Sequence, residues 1–294
     1  MHVVTLLTRP DTPRLTAALA EDIRRTWGGD ALRWLEPAVA AEFALAQVPP
    51  DRWDVWEALQ AQGIDMAVVP QAGRRKRLLL ADMDSTMIQQ ECIDELADMA
   101  GVGAFVSAIT ARAMNGELDF EAALRERVAL LKDLPVSIID QVIAERITFM
   151  PGGATLIATM KAQGARAVLV SGGFVDFTAR VAATLGFDEN RANILLAEGG
   201  KLTGKVAEPI LGREAKVTAL EEMSRRMGIT AAEVIAVGDG ANDLGMLGRA
   251  GMGVALHAKP AVAAQCEVRV NHGDLTALLF LQGYAREDFV QARA

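Results

Sequence analysis

Two aspartates follow a short apolar segment, and their spacing suits a shared site. Residues 78–81 are three leucines and an alanine, and Asp82 and Asp84 come directly after them. An uninterrupted apolar run is typical of a strand buried on both faces of a parallel sheet. Side chains at i and i+2 of an extended segment point to the same side, so both carboxylates can converge on one site, where a cation or a proton must offset their repulsion. Taken alone, the pair also fits an acidic loop before a helix capped by Ser85 or Thr86.

Two later segments also place polar residues and glycines after apolar runs. Ser171 and Gly172 follow a predicted strand at 167–170, where a hydroxyl and open backbone N–H groups could bind a phosphate before a helix. Asp239 follows a predicted strand at 234–237. The carboxyl ends of parallel strands share one edge of a sheet, so Asp239 could join the two earlier aspartates around Mg²⁺, which prefers hard oxygen donors. A plain tight turn is the alternative for either segment.

The apolar periodicity divides the chain into two predicted domains that must position these residues. Residues 1–72 read as βαββαβ, a small α+β domain that resembles the ACT type of ligand-binding, regulatory domain by element order alone. Residues 73–294 begin with a short basic linker. They then alternate strands with helices, which predicts an α/β domain with a doubly wound parallel sheet. Residues 88–150 read as helices almost throughout, and we interpret them as a helical cap inserted after the first core strand.

The predicted strands of the second domain lie at 78–82, 167–170, 193–196, 234–237, 253–256 and 268–270. A helix is expected over 214–227 and carries Lys216, which on its own reads as a solvated surface lysine.

Length, charge and cysteine content bound the class of protein. A length of 294 residues suggests about two domains. The net charge of −8 argues against nucleic acid or an anionic membrane as partner. Cys92 and Cys266 lie far apart without zinc or disulfide spacing, which fits a reduced, cytoplasmic protein. We expect neither a signal peptide nor a membrane span. The sequence leaves the oligomeric state open, a homodimer included.

Four ordered motifs together resemble the haloacid dehalogenase (HAD) superfamily, and the helical cap after the first strand resembles its phosphoserine phosphatases. The motifs are Asp82-x-Asp84-Ser85-Thr86, Ser171-Gly172, Lys216 and Gly238-Asp239-Gly240-x-Asn242-Asp243. The resemblance covers residues 76–285 and implies a HAD-like Rossmannoid core. It further implies a phosphatase that hydrolyses O-phospho-L-serine, a small-molecule substrate, in the last step of L-serine biosynthesis.

The resemblance implies a role for each matching residue of the core. Asp82 would be the nucleophile that forms an aspartyl-phosphate, and Asp84 would protonate the departing serine oxygen and later activate water. Asp82, the backbone carbonyl of Asp84 and Asp239 would hold Mg²⁺, with Asp243 orienting from nearby. Residues that would bind the phosphoryl oxygens are Ser171, Gly172 and Lys216.

Residues of the cap are expected to select the substrate. Arg127 has apolar helical neighbours and no acid three or four residues away, so its guanidinium could receive an external carboxylate, although structural packing is the alternative. Arg125 instead has Glu121 four residues before it, as in a surface ion pair. By resemblance, Glu91 would read the amino group and Arg127 the carboxylate of phosphoserine. By the same resemblance Met114 and Phe120 would line the lid, and Asn242 would also touch the substrate.

Two other functions remain open at this point. A phosphotransferase on the same scaffold would pass the phosphoryl group from the aspartate to an alcohol such as homoserine. A non-enzymatic phospho-aspartate switch is the second alternative, but it needs a long-lived phospho-aspartate. A general base two residues away and a long cap both speak against that switch.

Overall fold

The structure is a computed structural model that describes residues 1–115 and 117–291. The N-terminal unit has the predicted βαββαβ order, and its elements are β1 (His2–Leu7), α1 (Ala17–Thr26), β2 (Arg33–Glu36), β3 (Ala40–Leu45), α2 (Arg52–Gln60) and β4 (Asp65–Pro70). The four strands form an antiparallel sheet in the order β2-β3-β1-β4. Thr16 caps α1 by accepting a hydrogen bond from the backbone N–H of Leu19.

The remainder of the described chain is built on a six-stranded parallel sheet. Its elements after the cap are α7 (Gly153–Ala162), β6 (Arg166–Phe174), α8 (Val175–Leu185), β7 (Glu189–Asn193), β8 (Leu195–Glu198), β9 (Lys201–Val206), α9 (Arg213–Met227), β10 (Val234–Gly238), α10 (Leu244–Arg249), β11 (Met252–Leu256), α11 (Pro260–Ala263), β12 (Val268–Val270) and α12 (Ala277–Leu281). The first core strand is β5 (Leu78–Ala81), and the sheet order is β12-β11-β10-β5-β6-β7. The predicted parallel α/β core is confirmed.

The order of the strands explains why the three motifs at strand ends can meet. The fully buried β5 pairs in parallel with β6 on one side and with β10 on the other. The chain winds outward in both directions from β5, so this position is a topological switch point, where open α/β sheets bind ligands. The motif residues after β5, at the end of β6 and after β10 therefore come from three adjacent strands.

The segment between β5 and α7 is helical, as the periodicity predicted. It contains α3 (Cys92–Met99), α4 (Gly103–Met114), α5 (Phe120–Ala129) and α6 (Ser137–Glu145). Asp119 caps α5 by accepting the N–H of Ala122. Apolar residues of these helices, among them Leu96, Val106 and Leu124, join the larger of the two apolar clusters that flank the parallel sheet. The cap is therefore packed onto the core through this shared apolar cluster.

Two predicted elements differ from the structure. The strand expected at 193–196 is divided between β7 and the hairpin β8–β9, because the Asn193 side chain bonds to Gly172 and Leu211 and leads the chain out of the main sheet. The strand expected to end at residue 170 continues to Phe174. Ser171 and Gly172 therefore lie in the last part of β6, where its pairing with β7 is irregular, and not at the first turn of α8.

The N-terminal unit is attached to the core by polar contacts as well as by apolar ones. The fully buried carboxylate of Asp65 accepts the backbone N–H groups of Asn271, His272 and Gly273 at 2.8–2.9 Å. In the basic linker, Arg74 pairs with Glu42 of β3 at 2.8 Å. This pair holds the linker against the N-terminal sheet. Among the described helices, none has the length and apolar composition that crossing a bilayer requires.

Candidate active site

The carboxylates of the first and last motifs lie together at the carboxyl edge of the sheet. One carboxylate oxygen each of Asp82, Asp239 and Asp243 lies within 4.8 Å of the others, and all three residues are buried. Gly238 makes this arrangement possible, because a Cβ at that position would lie 2.4 Å from the Asp243 carboxyl carbon. Asp243 in turn accepts the N–H groups of Asp239 and Gly240 at 3.1 and 3.0 Å, which fixes the loop after β10.

Lys216 is a fully buried lysine of α9 and not a solvated one. Its ammonium lies 2.7 Å from Asp82 Oδ1 and 2.5 Å from Asp243 Oδ1. Burial alone would lower the pKa of this lysine, but the two carboxylates reverse the effect and raise it, so the ammonium stays charged. The lysine therefore connects the residue after β5 with the loop after β10.

The Asp84 side chain points to a different part of the site from Asp82. Its Oδ1 accepts the N–H of Cys92 at 2.9 Å, and its Oδ2 accepts the Ser171 hydroxyl at 3.2 Å. The same hydroxyl accepts the N–H of Gly173 at 2.8 Å. Burial raises the pKa of Asp84, whereas these hydrogen bonds and Lys216 oppose the shift. A carboxyl group with a raised pKa can hold a proton and later release it, which suits acid–base chemistry.

Residues of the cap close the cavity above these groups. The lining of this cavity includes Glu91, Phe120, Leu124 and Arg127 from the cap and Asp82, Asp84, Ser171, Gly172, Asp239 and Asn242 from the core. Phe120 covers Gly172 closely, because a Cβ there would lie 2.6 Å from the Phe120 ring. The predicted cap and core residues are thus brought together. Met114 ends α4, but its side chain lies outside the described part of the structure.

Arg127 is held by its own helix and by α4, and its Nη2 has no hydrogen-bond partner among the residues that the structure describes. Its Nε donates to the Ala123 carbonyl at 3.1 Å and its Nη1 donates to the Thr110 hydroxyl at 3.0 Å, and neither contact uses Nη2. By contrast, Arg125 forms the predicted exposed pair with Glu121 at 3.1 Å and a second with Glu208 at 2.9 Å. The two arginines of α5 therefore face different surroundings, the cavity and the solvent.

Glu91 and Asn242 present polar atoms to the same cavity. The Ser85 hydroxyl donates to Glu91 Oε1 at 2.6 Å. Burial, together with repulsion from Asp84 and Asp239, raises the pKa of Glu91 to about 8. The buried Oδ1 of Asn242 has no hydrogen-bond partner among the described residues. An acid that ionises reluctantly and an unpaired acceptor are both suited to receive a cationic donor from a ligand.

The donor set fits a magnesium ion. Among the described residues, the cluster contains carboxylate oxygens and no thiolate or imidazole. Mg²⁺ prefers such hard oxygen donors. Burial and the neighbouring Asp243 raise the pKa of Asp239 to about 6, which marks an excess of negative charge. Asp82, Asp239 and Asp243 are therefore the side chains available to a divalent cation.

Sequence reasoning missed two contacts of Asp239. The Thr86 hydroxyl donates to Asp239 Oδ1 at 3.3 Å, and the Lys259 ammonium lies 3.2 Å from Asp239 Oδ2. Lys259 lies twenty residues after Asp239, beyond the following strand β11. The only signal in the sequence that could have indicated it is its place after a predicted strand, at the same edge of the sheet.

Comparisons with known proteins identify the family of this chain. The sequence profile of the haloacid dehalogenase-like hydrolases matches residues 79–248. A phosphoserine phosphatase of Streptomyces coelicolor is 42% identical over 294 residues, which cover 97% of this chain and 71% of the relative.

Two solved structures are also similar. A probable phosphoserine phosphatase of Vibrio cholerae superposes with a TM-score of 0.76 at 32% identity and covers 98% of this chain and 88% of that one. A phospho-aspartyl intermediate analogue of phosphoserine phosphatase superposes with a TM-score of 0.67 at 41% identity and covers 70% of this chain and 98% of that one. This chain therefore belongs to the phosphoserine phosphatase family of the haloacid dehalogenase-like hydrolases.

Proposed function

We propose that this chain hydrolyses O-phospho-L-serine to L-serine and inorganic phosphate with Mg²⁺ as cofactor. The observation that carries the proposal is the single cavity in which the Asp82 and Asp84 carboxylates face Glu91 and Arg127 of the cap. Those four groups provide a nucleophile, an acid–base group, and one charge for each end of an amino acid. The relatives named phosphoserine phosphatase support the same substrate.

The chemistry begins with a problem of charge. Asp82 must approach a phosphate dianion, and one like-charge pair at 4 Å costs roughly 4 kcal/mol at an effective dielectric constant of about 20, or about twice that for a dianion. A magnesium ion at the carboxylate cluster would neutralise this charge as a Lewis acid. Lys216, at 2.7 Å from Asp82, supplies a permanent cation behind the nucleophile.

The remaining residues act on the substrate and its leaving group. Asp82 attacks phosphorus and forms an aspartyl-phosphate, while Asp84 donates its proton to the departing serine oxygen and then takes one from the attacking water. Ser171 and the N–H of Gly172 bind the phosphoryl oxygens. Arg127 binds the substrate carboxylate, and Glu91 with Asn242 binds its ammonium group. Phe120 covers the site and excludes bulk water. We propose that Met114 contributes to the same lid.

We also propose that the chain consists of two domains with different functions. Residues 73–294 form the phosphatase domain, and residues 1–72 form a small domain with a regulatory role. A separate antiparallel sheet with its own apolar cluster under α1 and α2 supports this division. The reaction would complete L-serine biosynthesis in the cytoplasm, which fits the free, buried thiols of Cys92 and Cys266. Homodimer formation stays a prediction.

A panel of phosphate esters tests substrate and cofactor together. We expect phosphoserine to be hydrolysed fastest with Mg²⁺ and a sugar phosphate slower by at least about 10²-fold, because the charges of Glu91 and Arg127 would find no partners on a sugar. A chelator should abolish all rates, and added Mg²⁺ should restore them. Equal rates for the sugar phosphate would refute the substrate, and rates insensitive to chelation would refute the metal. Transfer of phosphate to added homoserine, in place of release, would favour the phosphotransferase.

The proposed role of Glu91 predicts a pH dependence. Its raised pKa of about 8 leaves the carboxyl neutral at lower pH, where it attracts the substrate ammonium less. We therefore expect kcat/KM for phosphoserine to rise with pH and to level off at or below about pH 8, because a cation at Asp239 would weaken the repulsion that raises this pKa. The measurement is a pair of kcat/KM profiles between about pH 6 and 9 for the wild type and Glu91→Gln. Since substrate titrations affect both proteins equally, an identical inflection in the variant would contradict the assignment.

A further inference from the structure

Lys259 holds Asp239 through both its backbone and its side chain. It lies between β11 and α11, where its backbone N–H donates to the Asp239 carbonyl at 3.2 Å and its ammonium donates to Asp239 Oδ2 at 3.2 Å. Pro260 follows it and favours the extended backbone that Lys259 adopts. The lysine thus reaches the active-site carboxylates from a strand that carries none of the four motifs.

The carboxylates of the cluster have different lysine partners. Lys216 is fully buried and spans Asp82 and Asp243, whereas the ammonium within ion-pair distance of Asp239 in the described structure is that of Lys259. The Asp239 carboxylate is almost fully buried, and a buried carboxylate needs a counter-ion. A single positive charge therefore lies against Asp239, one of the three carboxylates available to a divalent metal.

The Lys259 side chain has room to move away from Asp239. It is about one-third exposed, in contrast to Lys216. It also lines a second cavity, away from the buried cluster, together with residues such as Ser85 and Gln89. Once a metal has replaced it at Asp239, the ammonium group can be hydrated instead, as the flexible lysine side chain allows.

We propose that Lys259 is a displaceable counter-ion of Asp239 that lowers the affinity of the site for its divalent metal. The proposal rests on the metal site proposed above. In the metal-free protein the ammonium neutralises Asp239 and stabilises the acidic cluster. When the metal binds, it must compete with this ammonium for the same carboxylate and tolerate a positive charge nearby. Lys259 therefore acts on the metal through Asp239, making metal binding weaker and reversible, and does not contact the substrate.

Calorimetric titration of the full, metal-free chain with Mg²⁺ tests this role. We expect Lys259→Met, which keeps the length of the side chain without its charge, to bind Mg²⁺ roughly tenfold tighter or more. Its metal-free form should have a lower Tm, and its Tm increase on adding Mg²⁺ should be larger than that of the wild type. Lys259→Arg keeps the charge and should remain close to the wild type in both measurements.

Lys161→Met is the matched control. Lys161 is comparably exposed and pairs with Asp188 at 2.9 Å, away from the site, so its loss should not change Mg²⁺ affinity. Unchanged or weaker Mg²⁺ binding by Lys259→Met would overturn the proposal, because a residue that merely orients Asp239 would aid the metal. A wild type that binds no Mg²⁺ would overturn both this proposal and the metal site. If the wild type binds Mg²⁺ but Lys259→Met binds it no tighter, the role of Lys259 alone is refuted.

Discussion

Replacing Asp82 with asparagine should abolish turnover of phosphoserine, with a loss on the order of 10⁵-fold in kcat. The amide is a poor nucleophile, and it also leaves the Lys216 ammonium with Asp243 as its remaining carboxylate partner. The fold should survive. Burial and Asp243 raise the pKa of Asp82, which means that its ionised form destabilises the metal-free protein. Removing this charge should leave Tm unchanged or slightly higher.

Steady-state kinetics and thermal unfolding of the same Asp82→Asn preparation check both expectations. Asp188→Asn serves as the control, since Asp188 also pairs with a lysine but lies away from the cavity. Its kcat should match that of the wild type. Substantial turnover by a folded Asp82→Asn protein would exclude the covalent route through this residue. Loss of activity together with loss of the folded state would instead assign Asp82 a structural role.

The second large effect is expected for Arg127→Ala. We predict that kcat/KM for phosphoserine falls by roughly 10²–10³-fold, the cost of removing one partner of a buried, hydrogen-bonded charge pair. Hydrolysis of a small phosphate ester without a carboxylate should change little, because that substrate never contacted the guanidinium. The comparison of the two substrates separates recognition from general damage to the cap, in which Arg127 also bonds to Ala123 and Thr110.

Arg125→Ala is the control for this prediction. It removes the same side chain from the same helix two residues earlier, where the guanidinium pairs with Glu121 and Glu208 at the surface. Exposed pairs contribute about 0–1 kcal/mol, so both substrates should be hydrolysed at nearly wild-type rates. If Arg127→Ala slows both substrates equally, the residue supports the cap and does not recognise phosphoserine.

The motifs of the core could be predicted from the sequence because strand ends obey a simple geometric rule. Three of the four motifs follow a recognisable apolar run, and parallel strands present their carboxyl ends at one edge, so the adjacency of Asp82, Ser171 and Asp239 required no knowledge of side-chain packing. The strand that was expected at 193–196 failed for the opposite reason. The side-chain contacts of Asn193 with distant backbone divert the chain there, and periodicity carries no information on such contacts.

Lysines were harder to predict than acids. A lysine in a helix or a loop is normally solvated, and nothing local in the sequence distinguishes Lys216 or Lys259 from Lys161. The resemblance to a family indicated Lys216, and the structure gives the reason for its burial, two carboxylates within 2.7 Å. Lys259 belonged to none of the motifs. Its contact with Asp239 depends on the path that the chain takes after β11, which only the folded structure contains.

The contact of Asp65 with residues 271–273 has a consequence for truncated forms of this protein. If roughly the first seventy residues were removed, the three backbone N–H groups that now donate to the Asp65 carboxylate would lose their acceptor. The loop after β12 would then be less well ordered. We expect a fragment of this chain without those residues to have a lower Tm than the full chain. The N-terminal unit and the loop after β12 are in this sense expected to stabilise each other through the Asp65 carboxylate.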